Sequence, residues 1–191
     1  MKQIVIVGVG GQGTLLASRI LGHIAIAEGL DAKVSEVHGM SQRGGSVITH
    51  VRIAEPGETV YSPLVEQGGA DVIVSFERLE ALRALPYLKE GGTIVLNDQK
   101  ILPMPVITGV MEYPADALAR IEEAAHVIAV DALGVARACG TGKAANIVLL
   151  GVLSNLLPYG PERWQEAISA CVKPAFVEMN LKAFEEGRRL G

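Results

Sequence analysis

The chain has 191 residues, of which 49% are apolar, 20% charged and 4% aromatic, and its net charge is −4. That length buries a sizeable core in one domain, 1–191, and an acidic balance without any basic run excludes a nucleic-acid partner. No secretory h-region follows Met1, and the longest apolar run, Ala144–Leu157, contains Asn146, Ser154 and Asn155 and falls short of the roughly 20 residues that span a bilayer, so a cytoplasmic protein with no membrane partner is expected.

Lys2–Val7, rich in Val and Ile, predicts a central strand. From Gln12 to Glu28 apolar residues recur at Leu15, Leu16, Ile20, Ile24 and Ala27, which predicts a helix, and Gly29 is placed to end it. Ala32–Val37 is the second strand. Ser46–Ile53 alternates, with Val47, Thr49, Val51 and Ile53 on one face, which predicts a half-exposed strand with His50 toward solvent. Glu55–Glu58 is a turn, and Val60–Tyr61 offers the second half of a hairpin. Asp71–Ser75 is a third core strand, Arg78–Lys89 an amphipathic helix ended by Gly91–Gly92, and Thr93–Asn97 a fourth strand. Lys100–Ile107, broken by Pro103 and Pro105, is irregular or an edge. Pro114–Ala124 is a helix and Val127–Val130 a fifth core strand. Helices follow at Ala132–Ala138, Lys143–Leu157, Pro161–Cys171 and Pro174–Glu186.

Strands alternating with helices define an α/β class: Rossmann-like, with a largely parallel sheet, helices on both faces and a helical C-terminal part. The scarcity of aromatics leaves Val, Ile, Leu and Ala to build the core, a mix that suits buried parallel strands. The high apolar share has two readings: an Ala- and Val-rich core, or surface reserved for a partner subunit.

Two glycine-rich stretches carry the chemistry. Gly8, Gly10 and Gly13 have the G-x-G-x-x-G spacing after a strand and at the opening of a helix. Exposed N–H groups at that helix start, with the dipole behind them, attract an anion. Glu36, 23 residues past Gly13, fits the acid that dinucleotide sites place near the end of the second strand. The structural alternative is a tight turn that binds nothing. The second stretch, Ser35–Ser46, contains His38, Gln42, Arg43 and three glycines after a core strand. Arg43 suits a bidentate carboxylate or phosphate contact, and His38 suits a proton transfer or a hydrogen bond near neutral pH. A surface loop with incidental polar residues is the plain reading there.

Other motifs are weaker. Gly140-Thr-Gly142-Lys143 lacks Walker spacing, and Ala144 stands where Ser or Thr would hold magnesium, so a helix start is expected. Asn146, on an apolar helix, is either a satisfied core amide or aimed at a site. His23 and His126 are expected to be structural, and Cys139 and Cys171 buried thiols.

Taken together, Gly8-Val-Gly-Gly-Gln-Gly13, the stretch Ser35–Ser46 with His50-Val-Arg52, and Gly142-Lys-Ala-Ala-Asn146 resemble the gamma-type module of the 2-oxoacid:ferredoxin oxidoreductases, most nearly its indolepyruvate branch, and the likeness runs the whole chain. The resemblance implies a subunit of a heteromeric enzyme that oxidatively decarboxylates arylpyruvates to aryl-acetyl-CoA and reduces ferredoxin. Thiamine diphosphate, Mg and 4Fe-4S clusters would then sit in a larger partner subunit, through which ferredoxin is reached, with CoA as cosubstrate. Two cysteines are too few for a cluster, and no G-D-G…N-N segment for thiamine diphosphate occurs, so no cofactor is expected on this chain. By the same resemblance no catalytic residue is expected in this chain alone. Gly10, Gly11, Gln12, Gly13, His38, Gln42, Arg43, Gly44, Gly45, Ser46 and Asn146 would face the partner's active site, Arg43 as the anion contact and Gly10–Gly13 as backbone donors. Two alternatives stand beside it: a free-standing NAD(P)- or FAD-dependent oxidoreductase using Gly8–Gly13 and Glu36, and a nucleotide-binding module without catalysis.

Overall fold

A computed structural model describes residues 1–39 and 44–191. Its strands are β1 (Lys2–Val9), β2 (Ala32–His38), β3 (Ser46–Ile53), β4 (Ala70–Ser75), β5 (Leu88–Asn97) and β6 (His126–Val130). Its helices are α1 (Thr14–Ala27), α2 (Arg78–Ala84), α3 (Met104–Ile107), α4 (Ala117–Ala124), α5 (Ala132–Ala138), α6 (Ala145–Ser154), α7 (Pro161–Cys171) and α8 (Val177–Arg188). The strands form one sheet in the order β2-β3-β1-β4-β5-β6. Pairings β1–β4, β4–β5 and β5–β6 are parallel, whereas β3 lies antiparallel between β1 and β2. The mostly parallel Rossmann-like sheet and the helical C-terminal part thus match the reading of the sequence.

Alternation along the strands divides the core into two layers. Ile4, Ile6, Val72 and Val74 pack with α1 and α5 to α8 on one face. Val5, Val7, Ile73 and Ile94 pack with α2 and α4 on the other. Helix α6 is apolar all round, and every residue from Asn146 to Ser154 is buried, as suits a helix enclosed on all sides. It can pack so closely on α8 because Gly151 and Gly187 lie at the crossing. A Cβ on either would strike backbone of the opposite helix. Trp164 of α7 stacks on Phe184 of α8, ring centroids 5.8 Å apart.

Several sequence expectations need correction. The helix from Arg78 ends at Ala84, because Pro86 cannot donate the next helical hydrogen bond. The chain instead turns through Leu85–Tyr87 and enters β5 at Leu88, so Lys89 is a strand residue. Gly91–Gly92 lies in a register irregularity of that strand, between the Leu88 and Thr93 pairings, and does not cap a helix. Val60–Tyr61 forms no hairpin; Val60 is buried and its N–H donates to Asp31 Oδ2 (2.8 Å). Lys100–Ile107 is irregular with the short turn α3, and the sheet edge beyond β5 is β6. Helices α6 and α8 are preceded by 3₁₀ turns at Gly142–Ala144 and Pro174–Phe176. Because β3 has a strand on each side it is more buried than expected. His50 is 4% exposed: its Nδ1 accepts from Val65 N–H (3.3 Å), and its ring meets Tyr87 edge-on. Cys139 and Cys171 are half-buried rather than fully buried, and His23 and His126 are exposed rather than built into the core.

No helix among the described residues is long and apolar enough to cross a membrane.

Candidate functional site

The chain leaves β1 toward β2 on one side and returns to β4 on the other, so the carboxyl ends of β1 and β4 open onto a crevice. That is where open α/β sheets place ligands. The glycine loop Gly8–Gly13 fills the mouth of this crevice. Gly13 has φ +89, a left-handed conformation that a side chain resists, and it starts α1 without a side-chain cap. A Cβ there would come within 2.6 Å of Asn146 Nδ2.

Gln12 braces the loop. Its Oε1 accepts from Val9 N–H (2.7 Å), and its Nε2 donates to Phe76 O at the end of β4 (3.2 Å). The side chain thus stitches the β1–β4 seam, and the backbone of the loop faces the openings on either side. Asn146 holds the loop from α6. It is 3% exposed and donates from Nδ2 to Gly13 O (3.3 Å). Asn146 is therefore at once a satisfied core amide and a wall of the crevice.

The two glycine stretches meet in space. Gly10 N–H donates to Gly45 O (2.9 Å), and Val9 pairs with Ser46. Ser46 Oγ donates to buried Glu80 (2.5 Å), whose other oxygen accepts from Arg83 (2.7 Å). Gly44 and Gly45 follow as the turn into β3. His38 is exposed at the end of β2, its Nδ1 3.0 Å from Gly39 O. Gln42 and Arg43 lie outside the described residues.

Two cavities flank the glycine loop. The one toward β2, about 390 Å³, is lined by Gly10, Gly13, Thr14, Glu36 and His38 among others. Glu36 does reach the start of α1, where it accepts hydrogen bonds from Thr14 Oγ1 (3.3 Å) and Thr49 Oγ1 (3.1 Å). Those bonds set a carboxylate against the positive end of α1, the position a phosphate would take, and so oppose an anion there. Moreover β3 stands between β1 and β2, unlike the dinucleotide-binding order, in which the acid's strand neighbours the first. The cavity toward β5, about 460 Å³, is lined by Gly11, Gln12, Asn97, Gln99, Lys143 and Asn146, with Phe76, Ile101 and Leu133 as apolar surface. Backbone, amides and one lysine make up its polar lining.

Three residues that sequence reasoning passed over shape this end of the sheet. Asn97, 1% exposed, donates to Phe76 O (3.1 Å) and accepts from Ala132 N–H (3.1 Å), tying β4, β5 and α5 together. Glu77, also 1% exposed, caps α2 by accepting from Glu80 N–H (3.0 Å). Its other oxygen accepts from Ile101 N–H (3.1 Å) and from Tyr113 O–H (2.5 Å). Burial, reinforced by that bond, pushes the Tyr113 phenol above its ordinary pKa. Glu77 thereby pins both ends of the segment 101–113, which displays Leu102, Met104, Ile107, Val110 and Met111, all largely exposed. The third residue is Lys143, dismissed with the failed Walker spacing. A polar residue at or just past the end of a core strand, as at Asn97 and Glu77, was the available signal.

Comparison with known proteins fits this geometry. Residues 3–190 match the family model for pyruvate ferredoxin/flavodoxin oxidoreductases, and the chain belongs to that family. The sheet is the gamma-subunit fold: the keto/oxoacid ferredoxin oxidoreductase gamma subunit from Geobacter sulfurreducens superposes with a TM-score of 0.74 at 26% identity, covering 100% of this chain and 98% of that one. More particularly, the chain is 44% identical over 190 residues to the indolepyruvate oxidoreductase subunit IorB of Thermococcus kodakarensis, covering 96% of this chain and 93% of the relative. The identity and coverage are the same for IorB of Pyrococcus horikoshii. The resemblance found in the sequence motifs is thereby established at the level of the whole chain.

Proposed function

We propose that the chain is the non-cofactor subunit of a heteromeric 2-oxoacid:ferredoxin oxidoreductase that converts arylpyruvates, indolepyruvate first among them, to aryl-acetyl-CoA. It works in the cytoplasm as one gamma-type unit, 1–191. Thiamine diphosphate with Mg and the 4Fe-4S clusters belong to a larger partner subunit, which also delivers electrons to ferredoxin. The residues of this chain do not fit those groups: among the described residues no three of His, Cys, Asp and Glu gather as a metal site, and the sequence has two cysteines where a cluster needs four.

The observation that carries the reading is the polar lining of the crevice toward β5. It holds backbone, amides and Lys143 but no nucleophile paired with a base. Such a wall can bind and exclude water, while bond-breaking falls to a partner's cofactor. In this reading Gly11 and Gly13 present backbone donors toward the partner's active site, whereas the Gly10 N–H expected beside them is already spent on Gly45 O. Gln12 and Asn146 keep that backbone in place, and Arg43, from the same stretch of sequence as His38, Gln42, Gly44, Gly45 and Ser46, contacts the anionic end of the 2-oxo acid or of CoA. Positioning of that kind accelerates a reaction without any covalent role.

The test is co-expression with the neighbouring large subunit. Indolepyruvate-, CoA- and ferredoxin-dependent turnover is expected from the co-purified pair and from neither chain alone, and Arg43→Ala should lower it while leaving the melting temperature unchanged. Turnover by this chain alone, or tight NAD(H) or FAD binding with catalysis, would refute the assignment.

A further inference from the structure

The segment 101–113 sets five large apolar side chains in water: Leu102, Met104, Ile107, Val110 and Met111. They are exposed by 43% (Leu102) to 75% (Val110), and none of them joins either core layer. Together they leave on the order of 500 Å² of apolar surface, at the upper end of what a soluble monomer shows in one patch. A standard interface takes about 800 Å² from each partner, a little over half of it apolar. This one segment therefore supplies the apolar share of one side of such an interface.

The backbone beneath these side chains is held. Pro103 O accepts from Val106 and Ile107 N–H, closing α3, and Pro105 O accepts from both Val110 N–H (2.9 Å) and Met111 N–H (3.0 Å), so the second half folds back on the first. The Glu77 carboxylate fixes both ends, through Ile101 N–H and Tyr113 O–H. A segment ordered in advance loses less freedom when a partner covers it, which favours association. Charge stays at the border. Lys100 lies over the Tyr113 ring, 4.5 Å from its centroid, Arg78 pairs with Asp98, and within 101–113 Glu112 is the sole charged side chain. An apolar centre with a polar rim is the anatomy of an interface.

The position of the patch selects the occupant. Gln99 and Ile101, at its near end, line the crevice toward β5, the face read above as turned to the partner's active site. Whatever closes that crevice meets the segment in the same approach. In the ketoisovalerate oxidoreductase subunit VorA of Methanothermobacter marburgensis, 33% identical over 186 residues, the match covers 95% of this chain but 35% of VorA. There the same unit is one part of a much longer polypeptide. We infer that the segment 101–113 is the dock for the larger, cofactor-bearing subunit, with Met104, Ile107 and Val110 meeting an uncharged apolar surface of that subunit. The inference rests on the reading of this chain as its companion.

Co-expression with the large subunit, followed by dilution of the purified complex, gives the dissociation constant. Met104→Asp with Val110→Asp should raise it at least a hundredfold and leave the melting temperature of this chain unchanged, since both side chains are exposed. Met104→Leu with Val110→Ile should bind like the wild type. So should Ile26→Asp, which alters an equally exposed apolar residue on α1, outside the segment. Hydrogen exchange of the amides from Val106 to Met111 should be at least tenfold slower in the complex than in the isolated chain, and light scattering should show the isolated chain as a monomer. Wild-type affinity in the aspartate pair, an equal loss in Ile26→Asp, unslowed exchange, or a dimer of this chain that the aspartate pair dissolves would each overturn the dock and leave the subunit reading standing. A wild-type chain that does not bind the large subunit would overturn that reading, and the dock with it.

Discussion

Replacing Glu77 with alanine tests whether one buried carboxylate organises the carboxyl end of the sheet. The wild-type side chain accepts three hydrogen bonds, from Glu80 N–H, Ile101 N–H and Tyr113 O–H. A hydrogen bond to a charged group is worth about 1.5–3 kcal/mol and a helix N-cap about 0.5–2 kcal/mol. The full sum is not recovered, because burying the carboxylate itself costs energy that the variant regains. A net loss of about 3 kcal/mol is expected. For a chain of this size that lowers the melting temperature by about 6–12 °C. Glu77→Gln keeps one acceptor oxygen and should lose about half as much. Tyr113→Phe should lose about 1 kcal/mol, and its effect should shrink in the Glu77→Ala background, since the two share a bond. Guanidinium unfolding followed by circular dichroism gives the stabilities. Hydrogen exchange at the Ile101 amide reports whether the segment 101–113 has come loose. A loss below about 1 kcal/mol, or additive effects in the double variant, would show that Glu77 is not the clamp.

Gly13→Ala forces a side chain into φ +89 and against Asn146 Nδ2. It should cost about 1–3 kcal/mol in thermal unfolding and displace the glycine loop; a neutral result would mean the turn relaxes freely. His50 has its pKa lowered by burial, so the folded chain binds fewer protons than the unfolded one below the ordinary histidine value. Stability should therefore fall as pH drops through about 6.5 toward the lowered value, and His50→Gln should flatten that part of the curve measured by denaturant titration. The same slope in both proteins would place the titration elsewhere.

Local pattern was enough for the strands and for most helices. Period-two alternation in Ser46–Ile53 and the apolar runs at Lys2–Val7 and Asp71–Ser75 are set by which face each residue must bury, and neighbours in sequence record that directly. The glycine spacing Gly8–Gly13 was equally readable, because a strand-to-helix turn needs those residues whatever surrounds it. Asn146 was ambiguous in sequence for a physical reason: its bond to Gly13 joins residues 133 positions apart.

Composition and motif, then, fixed the α/β class, the order of elements, the glycine loop and the family resemblance. Only the folded chain decided that β3 would insert antiparallel between β1 and β2 and bury His50, that Gln12 would turn inward as a brace, and that Glu77 would clamp residues 101 to 113. These depend on pairs brought together by packing across the sheet, and such long-range pairings leave no periodic trace along the chain.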